Sequence, residues 1–275
     1  MNAPPTKSFA RGVFWMVLTA MSFAVLSVSV RGLTVKFPAV EIVLMRAVIG
    51  LFMIIPLIGK FGFRTLRTNR VPLHLIRTGF AFIGMLGFFY ALAHVTVADA
   101  TAFSFLIPLF TTIAAALILG EVVDAPRWLA TSIGFVGALV IIRPGFQDIS
   151  FPAIVAIASA AFYAGAWTSV KILTRTDSAA IIVFYMNMFM LPVALVISLF
   201  FWVTPSWDDV PLMLVMALAG WSAHFCQARS FAAADASAVV PFDFLRLPFG
   251  ALLAWIVFAQ PTEFWTWIGA GIIRY

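Results

Sequence analysis

Ser29-Val30-Arg31-Gly32-Leu33-Thr34 returns 140 positions later as Ser169-Val170-Lys171-Ile172-Leu173-Thr174, and at the same offset Phe23-Ala24 returns as Tyr163-Ala164. At an offset of 136, Pro56 meets Pro192, Gly84 meets Gly220, and Ala98-Asp99-Ala100-Thr101-Ala102 meets Ala234-Asp235-Ala236-Ser237-Ala238. A three-residue gap then brings Pro108 onto Pro241. Each match is short, but all keep their order along the chain. The sequence therefore reads as two copies of one unit, at residues 11–146 and 150–275.

Apolar residues make up 63% of the 275 and charged residues 10%, more apolar surface than one soluble core can hide. A helix needs about 20 apolar residues to cross a hydrocarbon layer of roughly 30 Å. Such runs fall at 12–31, 39–59, 72–93, 99–119, 127–143, 151–172, 179–203, 211–232 and 236–259, separated by breakers such as Lys36-Phe37-Pro38, Asp124-Ala125-Pro126 and Pro144-Gly145. A tenth run starts near Glu263 and reaches only Tyr275. At about 1.5 Å per residue it spans about 20 Å, so the last helix is expected to be truncated. The expected fold class is an all-α membrane protein of ten transmembrane helices in two five-helix repeats. Because five is odd, the second repeat enters from the opposite side, and the copies are inverted. Inverted repeats of this kind build secondary transporters, with the substrate held between the halves near the midplane.

With the N-terminus inside, the inner loops collect eleven basic residues, from Lys7 and Arg11 to Arg175 and Arg229. The outer loops hold three, Arg31, Lys36 and Arg143. That asymmetry places the N-terminus in the cytoplasm of a bacterial inner membrane and accounts for the net charge of +6. The basic residues are scattered over short loops, which excludes a nucleic-acid footprint. The first run lacks a small-residue cleavage site and reads as a retained helix. A single cysteine, Cys226, permits no intrachain disulfide and suits a packing role.

Leu106-Ile107-Pro108-Leu109-Phe110, Leu119-Gly120-Glu121 and Ile133-Gly134-Phe135-Val136-Gly137 are answered in the second half by Ala236-Ser237-Ala238-Val239-Val240-Pro241, Phe258-Ala259-Gln260 and Trp267-Ile268-Gly269-Ala270. In these stretches the chain resembles the drug/metabolite transporter superfamily, in its ten-helix EamA branch. It departs at Gln260, where the family often has Glu. Within the superfamily it resembles amino-acid exporters of the YddG type, aromatic exporters included. It also resembles carriers that import S-adenosylmethionine or riboflavin, around Arg64-Thr65-Leu66-Arg67-Thr68 and Ser104 to Thr111. The resemblance implies a small-metabolite carrier.

No P-loop, HExxH, G-x-S-x-G or Cys/His cluster at metal-ligand spacing occurs, so no enzyme, metal or cofactor is expected. The candidate substrate residues lie inside the spans. Tyr163, Trp167 and Lys171 share one face of the sixth span at i, i+4 and i+8, and their repeat partners Phe23, Ser27 and Arg31 share the same face of the first. Tyr163 and Trp167 suit a cavity wall that stacks a planar group, the alternative being lipid contact; Lys171 and Arg31 read as helix ends. Trp221, His224 and Gln227 share a face of the eighth span, where polar groups turn inward, toward substrate or toward neighbouring helices. Tyr90, beside Phe89 and His94, is a further candidate.

Asp243 and Arg246 stand three apart in the ninth span. A charge at a helix centre costs roughly 2.5–3.5 kcal/mol on insertion scales, which mutual pairing offsets in part. As a substrate site they would meet the ammonium and carboxylate of a zwitterion; as a structural pair they would lock one helix. Pro108 and Pro241, at matched positions, are hinge candidates. Arg46 is expected to snorkel or to bind another helix's carbonyl or carboxylate, and Asp99 and Asp235 to cap helices. Ala114-Ala115-Ala116 and Ala158 to Ala161 are expected to let helix backbones pack closely.

These features lead us to expect a carrier exporting amino acids, aromatic ones included, by alternating access. Uptake of S-adenosylmethionine or riboflavin is the alternative. A channel would want a continuous polar ring along a pore, and the polar groups here gather at mid-depth instead. The orientation is directly testable. In a Cys226→Ala background, an impermeant thiol reagent on intact cells should label Asp208→Cys and spare Arg70→Cys. Labelling at 70 but not at 208 would reverse the topology.

Overall fold

The computed structural model describes residues 8–55, 66–104, 106–142 and 150–259, and every regular element among them is helical. In chain order these are α1 (Phe9–Leu33), α2 (Ala39–Phe52), α3 (Val71–His94), α4 (Val97–Ser104), α5 (Leu106–Ile118), α6 (Ala125–Ile142), α7 (Phe151–Leu173), α8 (Ala179–Ser198), α9 (Val210–Ala233), α10 (Ala236–Val239) and α11 (Arg246–Phe258). A 3-10 turn, Trp207–Asp209, precedes α9, and a 3-10 segment, Val240–Leu245, joins α10 to α11. Pro72, Pro152 and Pro211 stand in the first turns of α3, α7 and α9, where the missing N–H costs nothing.

Six helical segments are long and apolar enough to span a bilayer: α1, α3, α7, α8, Trp207–Ala233 and Ala236–Phe258. Their outer surfaces carry exposed side chains such as Ile83, Leu195, Val196 and Ile256, as expected where lipid is the solvent. The protein is an integral, all-α membrane protein. The C-terminal end of the expected second span, with Pro56, lies outside the described residues, as do Gln260 and the tenth run from Glu263. The expected ninth span corrects to a broken path. Pro241, lacking its N–H, sits in the 3-10 segment between two α-helical pieces, so the run is not one α-helix.

The first helix of each half packs most extensively on the third helix of the other, α1 on α9 and α7 on α3. Each also ends in the same way. Arg31, in the last turn of α1, donates Nη1 to the carbonyls of Leu92 (2.5 Å) and Val95 (3.3 Å) at the end of α3. Lys171, in the last turn of α7, donates Nζ to those of Phe231 (2.8 Å) and Ala234 (2.5 Å) at the end of α9. Thr34 and Thr174 then cap Arg31 and Lys171 in turn, at 2.9 and 2.8 Å. The two residues read as helix ends in the sequence thus tie one helix end to another.

The expected cap at Asp235 is also corrected. Asp235 makes no side-chain cap bond to α10. The Glu121 carboxylate reaches across from the end of α5 instead and accepts from the backbone amides of Ala236 (3.2 Å) and Ser237 (3.1 Å) and from the Ser237 hydroxyl (3.0 Å). Lys171 stands 3.8 Å from the same carboxylate. At the other end of the bundle Lys36 pairs with Asp209 at 2.5 Å. The side chain of Asp99 lies outside the described residues.

Glycine makes the closest helix contacts possible. A Cβ at Gly12 would fall 2.6 Å from the Ala234 Cβ and 2.9 Å from Val239, whereas one at Gly79 would meet nothing within 4 Å. Gly12→Ala should therefore push α1 off the α9–α10 corner and lower stability by about 1–3 kcal/mol. Gly79→Ala should be neutral. Thermal unfolding of the two purified variants checks this, and equal behaviour would refute the contact.

Candidate functional site

The site grows out of the broken segment at Val240–Leu245. In a 3-10 turn side chains three apart eclipse one another. Asp243 and Arg246 therefore lie directly in line, and Nη2 of Arg246 donates to both carboxylate oxygens at 2.8 and 2.6 Å. Asp243 is 0% and Arg246 3% exposed. Two charges this deep must satisfy each other, and the geometry is as good as an ion pair allows.

The rest of the guanidinium faces aromatic rings. Its carbon stands 4.3 Å from the Phe23 ring centroid and 6.0 Å from that of Trp167. Phe23 and Trp167 are near-parallel, 20° apart in plane with centroids 6.4 Å apart. The His224 ring meets Phe23 edge-on at 5.3 Å, and Phe231 meets Trp167 at 5.9 Å. Phe23 is thus the hub of the cluster, joining α1 to α7, α9 and α11. A narrow cleft lies beside it, about 10 Å³ and so with room for about one water, lined by Phe23, Leu26, Phe88, Ser104, Ile107, Tyr163, Trp167 and Arg246.

Of the expected site residues, Tyr163, Trp167 and Arg246 line this cleft, and Asp243 holds Arg246 from behind. His224 and Gln227 are fully buried side by side one helical turn apart, without forming a well-aligned hydrogen bond. Both His224 ring nitrogens, both Gln227 amide atoms and Nε1 of Trp167 lack partners among the described residues. Buried polar atoms are normally paired, so these form a set of free donors and acceptors near the cleft. Tyr90 is not brought to the site. It stacks on His94 at 4.2 Å and meets Phe151 at 6.2 Å, near the end of α3, and does not line the cleft. Its position in the helix, one residue past Phe89, turns it to another face. Pro108 is buried next to Ile107, and Pro241 stands two residues before Asp243.

Sequence reasoning passed over Phe23 as a site residue, although its repeat partner Tyr163 pointed to it. It also passed over Phe88, Ser104 and Ile107, apolar or small residues that carry no signal of their own. Arg46 corrects differently. It neither snorkels nor finds a carbonyl or carboxylate, and its Nη2 rests against the sulfurs of Met190 (3.5 Å) and Met186 (4.0 Å).

Residues 10–143 match the EamA-like transporter family. Over nearly its whole length the chain is also 33% identical to a riboflavin transporter of Vibrio cholerae, covering 96% of this chain and 90% of that one. The chain belongs to the EamA-like transporter family. It is similar, at 28% identity over 97% of its length and 91% of the relative's, to an S-adenosylmethionine uptake transporter of Rickettsia prowazekii. A solved crystal structure 17% identical superposes with a TM-score of 0.76, covering 96% of this chain and 93% of the other, and shows the same fold. This EamA-like protein is a membrane transporter of a small molecule, and the site carries no enzymatic role.

The ion pair at the cleft yields a clean test of role. Arg246→Ala leaves Asp243 buried and unpaired, which should cost about 3–5 kcal/mol of stability. Asp243→Asn/Arg246→Gln keeps shape, removes both charges and should unfold within a few degrees of wild type. If the pair contacts cargo, the double variant folds and does not transport. Recovered flux would make the pair purely structural.

Proposed function

We propose that this transporter is an uptake carrier for riboflavin or a similarly flat, uncharged, carbonyl-bearing metabolite. It works by alternating access between two inverted repeats, residues 11–146 and 150–275, in a bacterial inner membrane with its N-terminus in the cytoplasm. The observation that carries the reading is the near-parallel Phe23–Trp167 pair, 6.4 Å between centroids, set beside unpaired polar atoms of His224, Gln227 and Trp167. A flat ring between two parallel faces needs them roughly 7 Å apart, two carbon contact distances of about 3.5 Å. A small parting of α1 and α7 admits one. The edge of such a ring, with carbonyls flanking an imide N–H, suits the mixed donors and acceptors that surround the slot.

Charge separates this cargo from the sulfonium of S-adenosylmethionine. Among the described residues the buried arginines Arg46, Arg77 and Arg246 outnumber the buried carboxylates Glu41 and Asp243, an excess of positive charge that disfavours a net cation. The relative that is 33% identical is named for riboflavin, which agrees. A second reading, amino-acid export, draws on the Asp243–Arg246 pair, whose two charges match the two ends of a zwitterion and whose neighbours would stack an aromatic side chain. In either cycle Pro108 and Pro241 act as the bends that let the broken α10–α11 path and its counterpart move.

Reconstitution in liposomes decides between them. The expected result is saturable riboflavin uptake that unlabelled S-adenosylmethionine and phenylalanine compete with weakly. Trp167→Ala should lower riboflavin affinity several-fold, about 1 kcal/mol of stacking, with expression unchanged. Saturable phenylalanine efflux from preloaded vesicles, with no riboflavin flux or competition, would replace the flavin reading with the amino-acid one.

A further inference from the structure

Arg46 on α2 and Arg77 on α3 are the two largest charges the cleft does not use. They are 2% and 1% exposed, among the largest fully buried side chains of the described residues. Neither makes an ion pair among those residues, where the only salt bridges join Lys36–Asp209, His74–Asp177, Lys171–Glu121 and Arg246–Asp243. Nε of Arg46 and both Nε and Nη1 of Arg77 find no acceptor. The surroundings of Arg46 are soft and uncharged: two methionine sulfurs on α8, and Gly220 on α9, where a Cβ would fall 2.9 Å from its Cδ. Arg46 on α2 and Arg77 on α3 are buried in the same bundle as Tyr163 and His224.

Among the described residues, the acids that approach the interior have partners of their own, although Oε1 of Glu41 has none. Asp243 is held by Arg246, Glu41 accepts from the Val203 amide at 3.1 Å, Asp177 binds Thr68 and His74, and Glu121 caps α10. Arginine does not shed its proton in proteins. Among the described residues, two guanidiniums therefore sit in a low-dielectric interior with Nε of Arg46 and both Nε and Nη1 of Arg77 open and no ion-pair partner, an arrangement that costs several kcal/mol per ion unless an anion fills it.

The geometry points to an anion-binding subsite between Arg46 and Arg77, taking an oxyanion such as a carboxylate or phosphate group. Planar guanidinium forks present paired N–H groups that fit two oxygens of one such group. His224 and Gln227, on the α9 face that also carries Gly220, supply further donors within reach of the same space. The two arginines that define the subsite stand outside the Phe23–Trp167 slot, and His224 and Gln227 border both.

The test reads binding to the purified full chain in detergent, not flux. Sodium phosphate and sodium acetate are compared with sodium gluconate, a bulky reference, at equal ionic strength. Phosphate or acetate at about ten times its dissociation constant should raise the unfolding temperature of wild type by about 3–5 °C. Arg46→Met and Arg77→Met should each unfold at a higher temperature than wild type in gluconate, because a stranded charge is gone, and should lose most of the anion response. Arg46→Lys should keep part of it. Equal unfolding temperatures of wild type in all three salts would overturn the subsite. So would methionine variants that retain the response, or that fail to fold in gluconate. Riboflavin and flavin mononucleotide added to phosphate-loaded protein separate the two sources of the oxyanion. Additive stabilisation by riboflavin marks an independent ion, and loss of the phosphate response with flavin mononucleotide marks a group carried on cargo.

Discussion

A helix in lipid leaves four amides at one end and four carbonyls at the other with no partner inside it, and hydrocarbon offers none. The bundle meets this constraint by spending charged side chains on helix ends, Arg31 and Lys171 within their own halves and Glu121 across from one half to the other. Arg31 closes the carbonyl end of α3, Lys171 closes that of α9, and Glu121 closes the amide end of α10. Each sign is the right one for the dipole end it meets, cations at carbonyls and a carboxylate at amides. Because Lys171 also faces Glu121, four helices, α5, α7, α9 and α10, converge on one charged knot. Everything nearer the midplane hangs from these ends. α1 and α7 are fixed at their tips against partners that also hold the cleft, so Phe23 and Trp167 arrive facing one another.

Deeper in, the chain departs from its own economy. Six long helices bury mostly small and apolar groups, and small hydroxyls return to their own helix, as Ser27 does to Phe23 and Thr168 to Ala164. Against that background the concentration of Asp243, Arg246, Arg46, Arg77, His224 and Gln227 in one interior is costly. Only Asp243 and Arg246 cancel each other. A protein that merely needed to fold would have replaced the others with hydrocarbon, since buried polar groups without partners weaken a bundle. In the proposed function these groups surround the volume that the cargo enters.

The sequence disclosed the parts that follow from periodicity and repetition. The 140-residue offset matched Arg31 with Lys171, and the structure gives both the same job at matched places, together with the same threonine cap one turn on. Helical spacing placed Tyr163 and Trp167 on one face, and scarcity of charge in a long apolar run singled out Asp243 and Arg246. What stayed illegible depends on which faces meet. Tyr90 and Phe89 are neighbours in sequence but point about 100° apart, so only packing tells which one turns inward. Arg77 reads as an inner-loop charge because it stands near the start of α3, yet it is buried. Glu121 reads as part of a loop motif, and its role as a cap exists only because α5 ends beside the start of α10.

Phe23 draws the two levels together. Its ring touches Trp167, His224 and the Arg246 guanidinium, one residue from each of three other helices. A flat cargo entering against that ring must displace the guanidinium from its face. Arg246 is the first residue of α11 and is bound through Asp243 to the 3-10 segment, so its displacement strains the only broken stretch of that path. A 3-10 segment is held by poorer hydrogen bonds than an α-helix and yields first. In the proposed cycle, binding at the aromatic slot therefore transmits to the bend at Pro241 through one side chain. Occupancy and helix movement are linked by a contact of 4.3 Å rather than by any long chain of couplings.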